Sequence, residues 1–183
     1  MQLRDAVDML KPGRLEIHGP TTWADLGCGD GTFTRALAEL LAPGSVIHAM
    51  DVDRAALRTL PSHHGNARIE PHAGDFTRQP WPFNNLNGLL MANSLHYVRD
   101  QAALIASART HLIEPHRFLI VEYDSDAPNP YVPYPVSRRK LATLFDATID
   151  ILNTRPSRYQ RAALYAAMVT IAPSSRKACD ASG

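Results

Sequence analysis

Apolar and polar positions alternate along the chain in two distinct patterns. Seven short runs of apolar or alternating residues, bounded by glycine, proline or acidic residues, predict β-strands. They cover Thr22–Leu26, 45–50, Ala67–Ala73, 86–92, 118–122, 147–152 and Ala163–Ile171. Apolar residues at helical spacing predict helices over Leu3–Leu10, 33–41, 54–60, 101–112 and 136–145. Because strands and helices interleave, the pattern predicts an α/β fold with one doubly wound sheet of seven strands.

The length of the chain allows one domain with a full core. Its 183 residues are too few for two domains of ordinary size. We assign residues 1–172 to this domain, with residues 1–20 as an N-terminal helix and its lead-in. From residue 173 to residue 183 the sequence is polar and rich in small residues, which predicts a disordered tail.

Three glycines at alternate positions follow the first predicted strand. Gly27, Gly29 and Gly31 stand between an apolar run and an amphipathic segment, an order typical of strand, tight turn and helix. Glycine lets a backbone approach a ligand with no Cβ in the way. We therefore expect this turn to hold a ligand mostly through its backbone.

The spacing of the glycines indicates which ligand the turn holds. A dinucleotide-binding fingerprint needs glycine at position 32, where this chain has Thr32. Asp25 precedes the first glycine by two residues, and its carboxylate would repel a pyrophosphate. Asp25 suits a cationic group, such as the ammonium of an amino acid. A nicotinamide-dependent oxidoreductase is therefore the less favoured interpretation.

This turn closely resembles motif I of the class I S-adenosylmethionine-dependent methyltransferases, which reads acid-x-Gly-x-Gly-x-Gly. The resemblance covers about residues 3 to 171. It implies a Rossmann-like sheet with strand order 3-2-1-4-5-7-6 and strand seven antiparallel. It also implies S-adenosylmethionine as cofactor and S-adenosylhomocysteine as product. The cofactor-binding residues that it implies in this segment are Asp25, Gly27, Cys28, Gly29 and Gly31.

An acid also ends the second predicted strand. Asp51 lies 20 residues after Gly31, where a carboxylate of a βαβ unit accepts hydrogen bonds from the hydroxyls of an adenosine ribose. The alternative is an ordinary surface acid. We assign its neighbour Val52 to the same cofactor site and interpret Asp53 as the N-cap of the next helix.

The resemblance continues after strands three and four. It implies that Asp75 and Phe76 receive the adenine, although an ordinary Gly-Asp turn is the alternative. Residues 93–98 follow strand four and resemble motif IV of small-molecule methyltransferases, which places Asn93 beside the transferable methyl group. His96 is the candidate general base because an unperturbed histidine titrates near neutrality. The alternative is a histidine packed under the next helix.

These residues predict transfer of a methyl group to a small-molecule acceptor. A catalytic base is needed only if the acceptor is not already nucleophilic. Two alternatives stay open. One is a non-catalytic subunit that holds the cofactor or serves a partner, and the other is an NAD-dependent oxidoreductase. The sequence does not indicate the acceptor or the oligomeric state.

Charge is distributed unevenly along the chain. Residues 1–129 hold 11 basic and 15 acidic side chains, whereas residues 130–183 hold eight basic and three acidic ones. The basic end, which includes Arg138, Arg139, Lys140 and Arg155, is either a site for an acidic substrate or a solvated face. A net charge of +1 argues against a dedicated nucleic-acid-binding protein.

The cysteines, histidines and apolar runs argue against several further kinds of site or location. Cys28 and Cys179 stand in the turn and the tail, which argues against a disulfide, and no partner histidine supports a nucleophilic role for Cys28. The adjacent His63 and His64 lack a third ligand at metal spacing, so no metal site is expected. No run is long enough for a membrane span and residues 1–11 do not read as a signal peptide, so we expect a cytoplasmic protein.

Two segments are candidates for a lid over the cleft. The N-terminal helix either shapes the acceptor pocket or simply caps the sheet. Residues 129–135 combine prolines with Tyr131 and Tyr134, and they form either a rigid linker or part of the same lid.

Overall fold

The computed structural model describes residues 1–13, 15, 19–78, 80–157 and 162–173. The helices in this part of the chain are α1 (Leu3–Leu10), α2 (Thr32–Leu40), α3 (Arg54–Leu57), α4 (Gln101–Arg109) and α5 (Arg138–Leu144). The strands are β1 (Thr22–Leu26), β2 (Ser45–Asp51), β3 (His63–His64), β4 (Ala67–Ala73), β5 (Gly88–Ala92), β6 (His116–Tyr123), β7 (Thr148–Pro156) and β8 (Ala163–Ile171). Short 3₁₀ turns occupy Lys11–Gly13 and Leu95–Tyr97.

All of these strands join one sheet in the order β3-β4-β2-β1-β5-β6-β8-β7. Leaving out β3, this is the predicted order 3-2-1-4-5-7-6, and β8 is antiparallel to both of its neighbours as predicted. The fold class is confirmed, but the prediction of seven strands was wrong. His63 and His64 pair with Arg68 and Ala67 to form an eighth, two-residue strand.

Several element boundaries differ from the prediction for local reasons. The helix predicted over 54–60 ends at Leu57, because the amides of Thr59 and Leu60 bond three residues back in tightened turns. The strand predicted over 86–92 begins at Gly88. Leu86 instead exchanges backbone hydrogen bonds with the residues on either side of Leu112, at the end of the segment that follows α4.

The sheet separates two apolar layers. Helices α1 and α2 pack on one face, where Met9 and Leu37 join a buried cluster with Trp23 of β1. Helices α4 and α5 cover part of the other face. A Cβ at Gly88 would lie 2.4 Å from the indole of Trp23, its partner in the ladder of β1 and β5. Glycine at position 88 therefore leaves room for the largest side chain of the core.

Side-chain caps fix where the helices begin. Asp53 accepts hydrogen bonds from the amides of Ala55 and Ala56 at the start of α3, which confirms its predicted role. Asp100 caps α4 in the same way, through the amide of Ala103.

Most of the predicted disordered tail falls outside the residues that the structure describes. Residues 174–183, which make up nearly all of the predicted disordered tail and include Cys179, lie outside the described residues, as do residues 158–161. Among the helices that are described, none has the length and apolar character needed to cross a membrane.

Candidate functional site

A cavity of about 710 Å³ opens at the carboxyl ends of β1, β2 and β5. Strands β1 and β5 flank the point where the strand order reverses, the usual position of a ligand site in an open α/β sheet. The volume lies within the roughly 300–1,000 Å³ range of small-molecule sites.

Nine of the ten predicted cofactor-binding residues line this cavity. They are Asp25, Gly27, Cys28, Gly29, Asp51, Val52, Asp75, Phe76 and Asn93. The lining residues that the sequence analysis did not assign to the cofactor are Met1, Asp30, Thr32, Phe33, Thr77, Ala92, Ser94 and Tyr97. Most of these residues are next to an assigned residue in the sequence. Their position beside the motifs was therefore the sequence feature that could have predicted their place in the cavity lining.

Gly31 is the predicted residue that does not line the cavity. It is the N-cap of α2 with a φ of +72°, and a Cβ there would lie 2.1 Å from the side chain of Leu60. Close packing with Leu60, together with the left-handed backbone, therefore accounts for glycine at this position.

Asp25 presents a buried carboxyl group to the cavity. One oxygen accepts a hydrogen bond of 2.6 Å from the Thr34 hydroxyl of α2, and the other, Oδ1, has no hydrogen-bond partner. The residue is 1% exposed. Burial raises the pKa of Asp25 from 3.8 to about 7, with a smaller contribution from the nearby Asp51 and an opposing one from Thr34. Such a group gains most from a cationic partner.

Two more buried polar atoms without a hydrogen-bond partner belong to residues that line the same cavity. Among the described residues, three buried side-chain atoms lack a hydrogen-bond partner, and they are Oδ1 of Asp25, Oδ1 of Asn93 and Oγ of Ser94. Asn93 has a φ of +55°, a conformation that asparagine tolerates better than most residues. Since buried polar atoms are nearly always paired in folded proteins, three such atoms in one cavity indicate a polar ligand.

Asp51 fixes the glycine turn from the end of β2. Its Oδ2 accepts a 2.8 Å hydrogen bond from the amide of Gly29, and its Oδ1 accepts one of 2.8 Å from the amide of Asp53. Each carboxylate oxygen has a second lone pair. Asp51 is thus able to hold the turn and to accept hydrogen bonds from a ligand.

The cavity lining also includes the apolar Val52 and Phe76 and the acidic Asp75. Val52 is 69% exposed although its side chain is apolar, so it offers a free packing surface. Asp75 accepts hydrogen bonds from the amide and hydroxyl of Thr77, which lower the pKa of its carboxyl group and keep it ionised. Phe76 is held by Trp81, whose indole N–H donates to its carbonyl at 3.0 Å.

Cys28 lines the cavity as an unreactive thiol. Burial and the neighbouring Asp25 and Asp51 raise its pKa above the ordinary range, so the thiolate is disfavoured. This agrees with the sequence analysis, which found no support for a nucleophilic role of Cys28.

The structure does not bring His96 to the cavity. It is 2% exposed, its Nδ1 lies 2.6 Å from Oε2 of Glu122, and its amide donates to the other oxygen of the same carboxylate. Glu122 of β6 is fully buried and was not singled out from the sequence, where its only signal was an acid at the end of an apolar strand. The role of His96 as a general base stays a prediction. The contact between His96 and Glu122 instead favours a role for His96 in positioning the turn that carries Tyr97, a residue of the cavity wall.

Comparisons with known proteins agree with this site. The sequence model of a methyltransferase domain family matches residues 24–114, about half of the chain. The chain belongs to this methyltransferase domain family. The match identifies the chain as an enzyme that transfers methyl groups. None of the curated proteins matches the sequence of this methyltransferase at a significant level.

Solved structures share the fold at low sequence identity. A SAM-dependent methyltransferase from Aquifex aeolicus is 16% identical with a TM-score of 0.66, and the match covers 91% of this chain and 89% of that one. The 1,6-didemethyltoxoflavin-N1-methyltransferase of Burkholderia thailandensis, solved with 1,6-didemethyltoxoflavin and S-adenosylhomocysteine, is 20% identical with a TM-score of 0.68, covering 93% and 78%. Magnesium protoporphyrin IX methyltransferase from Synechocystis, solved with bound SAM, is 13% identical with a TM-score of 0.63, covering 93% and 78%.

Proposed function

We propose that this methyltransferase holds its cofactor in the cavity at the ends of β1, β2 and β5 and acts on a small-molecule acceptor. The observation that carries the proposal is the set of unpartnered buried atoms on Asp25, Asn93 and Ser94, all of which line that cavity. A buried polar atom without a partner costs about 1–3 kcal/mol, so a bound polar ligand would recover a substantial part of this energy.

Each end of the cavity suits a different part of S-adenosylmethionine. Asp25 offers a carboxylate to the ammonium of the methionine moiety. Asp51 offers two oxygens to the ribose hydroxyls while its hydrogen bond to Gly29 keeps the turn in place. Val52 and Phe76 offer apolar surface to the adenine, and Asp75 offers an acceptor to its amino group.

The chain contributes mainly alignment to the reaction. When bound, the cofactor supplies an electrophilic methyl group on a sulfonium. Asn93 and Ser94, at the end of β5, would fix the position of the acceptor relative to that group. Positioning of this kind accounts for about 7–11 kcal/mol of a barrier. No side chain with a proton-accepting role is needed for an acceptor that is already nucleophilic.

Two observations support a small acceptor. The 1,6-didemethyltoxoflavin in the Burkholderia neighbour is a small molecule. In addition, arginines of the basic end are engaged by acids of this chain, since Arg138 pairs with Asp124, and Arg139 with Asp126. These pairs favour the solvated-face interpretation over a site for nucleic acid or another polyanion.

Calorimetric titration of the protein with S-adenosylmethionine and with NAD tests the proposed site. We expect S-adenosylmethionine to bind and NAD not to bind. Asp51→Asn should weaken S-adenosylmethionine binding by about 1–3 kcal/mol, because the ribose loses a charged acceptor and asparagine has one oxygen for the two amides that Asp51 binds. Asp53→Asn is the matched control, since asparagine also caps helices. Equal affinity of both variants would remove Asp51 from the site.

The acceptor requires a separate experiment. A panel of metabolites incubated with methyl-labelled cofactor should label one class of small molecule, and labelling of RNA or protein alone would contradict the proposal. The cytoplasmic location stays a prediction from the sequence, which cell fractionation would test.

A further inference from the structure

A second polar cluster lies on the sheet away from the lining of the cofactor cavity. His48 of β2 faces Glu70 in the ladder with β4, and His72 stands two residues after Glu70 on the same face. Nδ1 of His48 lies 3.0 Å from Nε2 of His72 and 3.0 Å from Oε2 of Glu70. The three atoms all lie within 4.8 Å of one another.

The spacing and chemistry of these atoms suit a transition metal ion. In a tetrahedral zinc site the ligand atoms lie about 2.0–2.2 Å from the ion, which places them roughly 3.3 Å apart. Two imidazoles and one carboxylate form a common three-ligand set for zinc, with the fourth position left to water.

The surroundings hold the cluster in place and leave a route to it. The ring of Phe83 stacks on His48 with centroids 5.0 Å apart, and it meets His72 edge-on at 5.4 Å. The side chains of His48 and Glu70 are 15% and 31% exposed, so an ion has access from solvent. Arg68 pairs with Oε1 of Glu70, which leaves Oε2 directed at His48.

We propose that His48, Glu70 and His72 form a binding site for a divalent transition metal ion such as Zn²⁺. The ion would bind Nδ1 of His48, Nε2 of His72 and Oε2 of Glu70, and His48 would carry its proton on Nε2. It would clamp β2 to β4 and fix the loop that carries Phe83. The site is independent of methyl transfer, and it differs from the sequence-based expectation of no metal.

Calorimetric titration of the untagged, metal-free protein with Zn²⁺ tests this site. We expect one ion per chain for the natural protein. His48→Gln and His72→Gln should each weaken Zn²⁺ binding at least tenfold, because each removes one ligand. His63→Gln is the matched control, since His63 lies on the neighbouring strand and outside the cluster. Its affinity should stay within about twofold of the natural protein.

Thermal unfolding with and without Zn²⁺ supplies a readout that needs no activity. The natural protein and His63→Gln should gain melting temperature with Zn²⁺, whereas His48→Gln and His72→Gln should gain none. S-adenosylmethionine binding by the metal-free variants checks that they fold. Two results would overturn the proposal: no binding of Zn²⁺ to the natural protein, or equal binding to the double variant His48→Gln/His72→Gln. Either result would show that the three residues form only a hydrogen-bonded cluster.

Discussion

At the scale of single residues, the protonation state of Asp25 should differ between the cofactor-free and the cofactor-bound protein. Its carboxyl group is buried, and one of its oxygens, Oδ1, has no hydrogen-bond partner within the protein. A proton on this group therefore lowers the free energy of the empty protein, whereas a bound ammonium would favour the carboxylate. The stability of the protein and its affinity for cofactor should depend on pH in opposite directions.

The stability of the cofactor-free protein should fall as pH rises from about 4 to about 7. The folded protein holds a proton on Asp25 up to about pH 7, whereas the unfolded chain releases it near 3.8. Between these values the loss is at most ~1.4 kcal/mol per pH unit, and above them it stops. Denaturant unfolding of the natural protein and of Asp25→Asn across this range measures the difference. A constant difference between the two proteins would contradict the raised pKa.

Cofactor affinity should rise with pH over the same range. If the ammonium binds the carboxylate of Asp25, each pH unit below about 7 costs up to about tenfold in affinity. Titrations of the natural protein and of Asp25→Asn at several pH values test this. The variant should bind weakly at every pH, without this dependence. An affinity that rises equally in both proteins would assign the effect to another group.

Alanine substitutions at Gly29 and Gly19 distinguish the effect of backbone conformation on stability from the effect of ligand contact on cofactor binding. Its φ is +52°, and a Cβ built there meets no protein atom within 4 Å although the residue lines the cavity. Gly29→Ala should cost about 1 kcal/mol of stability through its left-handed backbone and should also greatly weaken S-adenosylmethionine binding. Gly19 has a φ of +96° and the same free space, but it lies outside the cavity lining. Gly19→Ala should therefore lose stability alone, and equal binding by both variants would exclude a close approach of ligand to Gly29.

At the scale of elements, the segment 129–135 lies at the same end of the sheet as the cavity. The amide of Tyr134 donates to the carbonyl of His96, and the side chain of Gln101 donates to the carbonyl of Tyr134. These bonds fix the segment to the turn that carries Tyr97. Within the described chain, however, the cavity lining comes from other segments. The lid stays a prediction. Helix α1 packs on α2, and Met1, which precedes the helix, lines the cavity, so the choice between its two predicted roles also stays open.

A hydrogen bond from β8 anchors the chain just after this segment. The hydroxyl of the fully buried Tyr165 donates to the carbonyl of Val136 at 2.8 Å. Tyr165→Phe should cost about 1–3 kcal/mol, because the carbonyl is left without this donor. Tyr131→Phe is the control, since Tyr131 is 77% exposed. Denaturant unfolding measures both, and equal stability of the two variants would show that the Val136 carbonyl finds another partner.

The sequence predicted those elements whose signals are local. Glycine spacing and the acids at strand ends placed the cavity, because the carboxyl ends of parallel strands meet at one edge. The two-residue strand at His63–His64 has too few residues for a periodic signal, and it forms only because Ala67 and Arg68 of β4 are nearby. Pairing across the sheet, rather than local pattern, decides such elements.

At the scale of the whole molecule, features that join distant strands escaped the sequence analysis. His48 and His72 are 24 residues apart, and only the register of β2 with β4 brings them together. The pair of His96 with Glu122 likewise needs the turn after β5 to fold against β6. A candidate base was visible in the sequence, but the partner that draws it away from the cavity was not.

The hydrogen bond between Trp81 and Phe76 gives this protein a built-in optical reporter. The chain has two tryptophans, and Trp23 is buried among core residues on the face of α1 and α2. Trp81, in contrast, holds the carbonyl of a residue that lines the cavity. S-adenosylmethionine binding should therefore change the intrinsic fluorescence through Trp81, while Trp23 emits as a constant internal standard. Trp81→Phe should abolish the change and keep the Trp23 emission, whereas a signal that survives this substitution would come from Trp23.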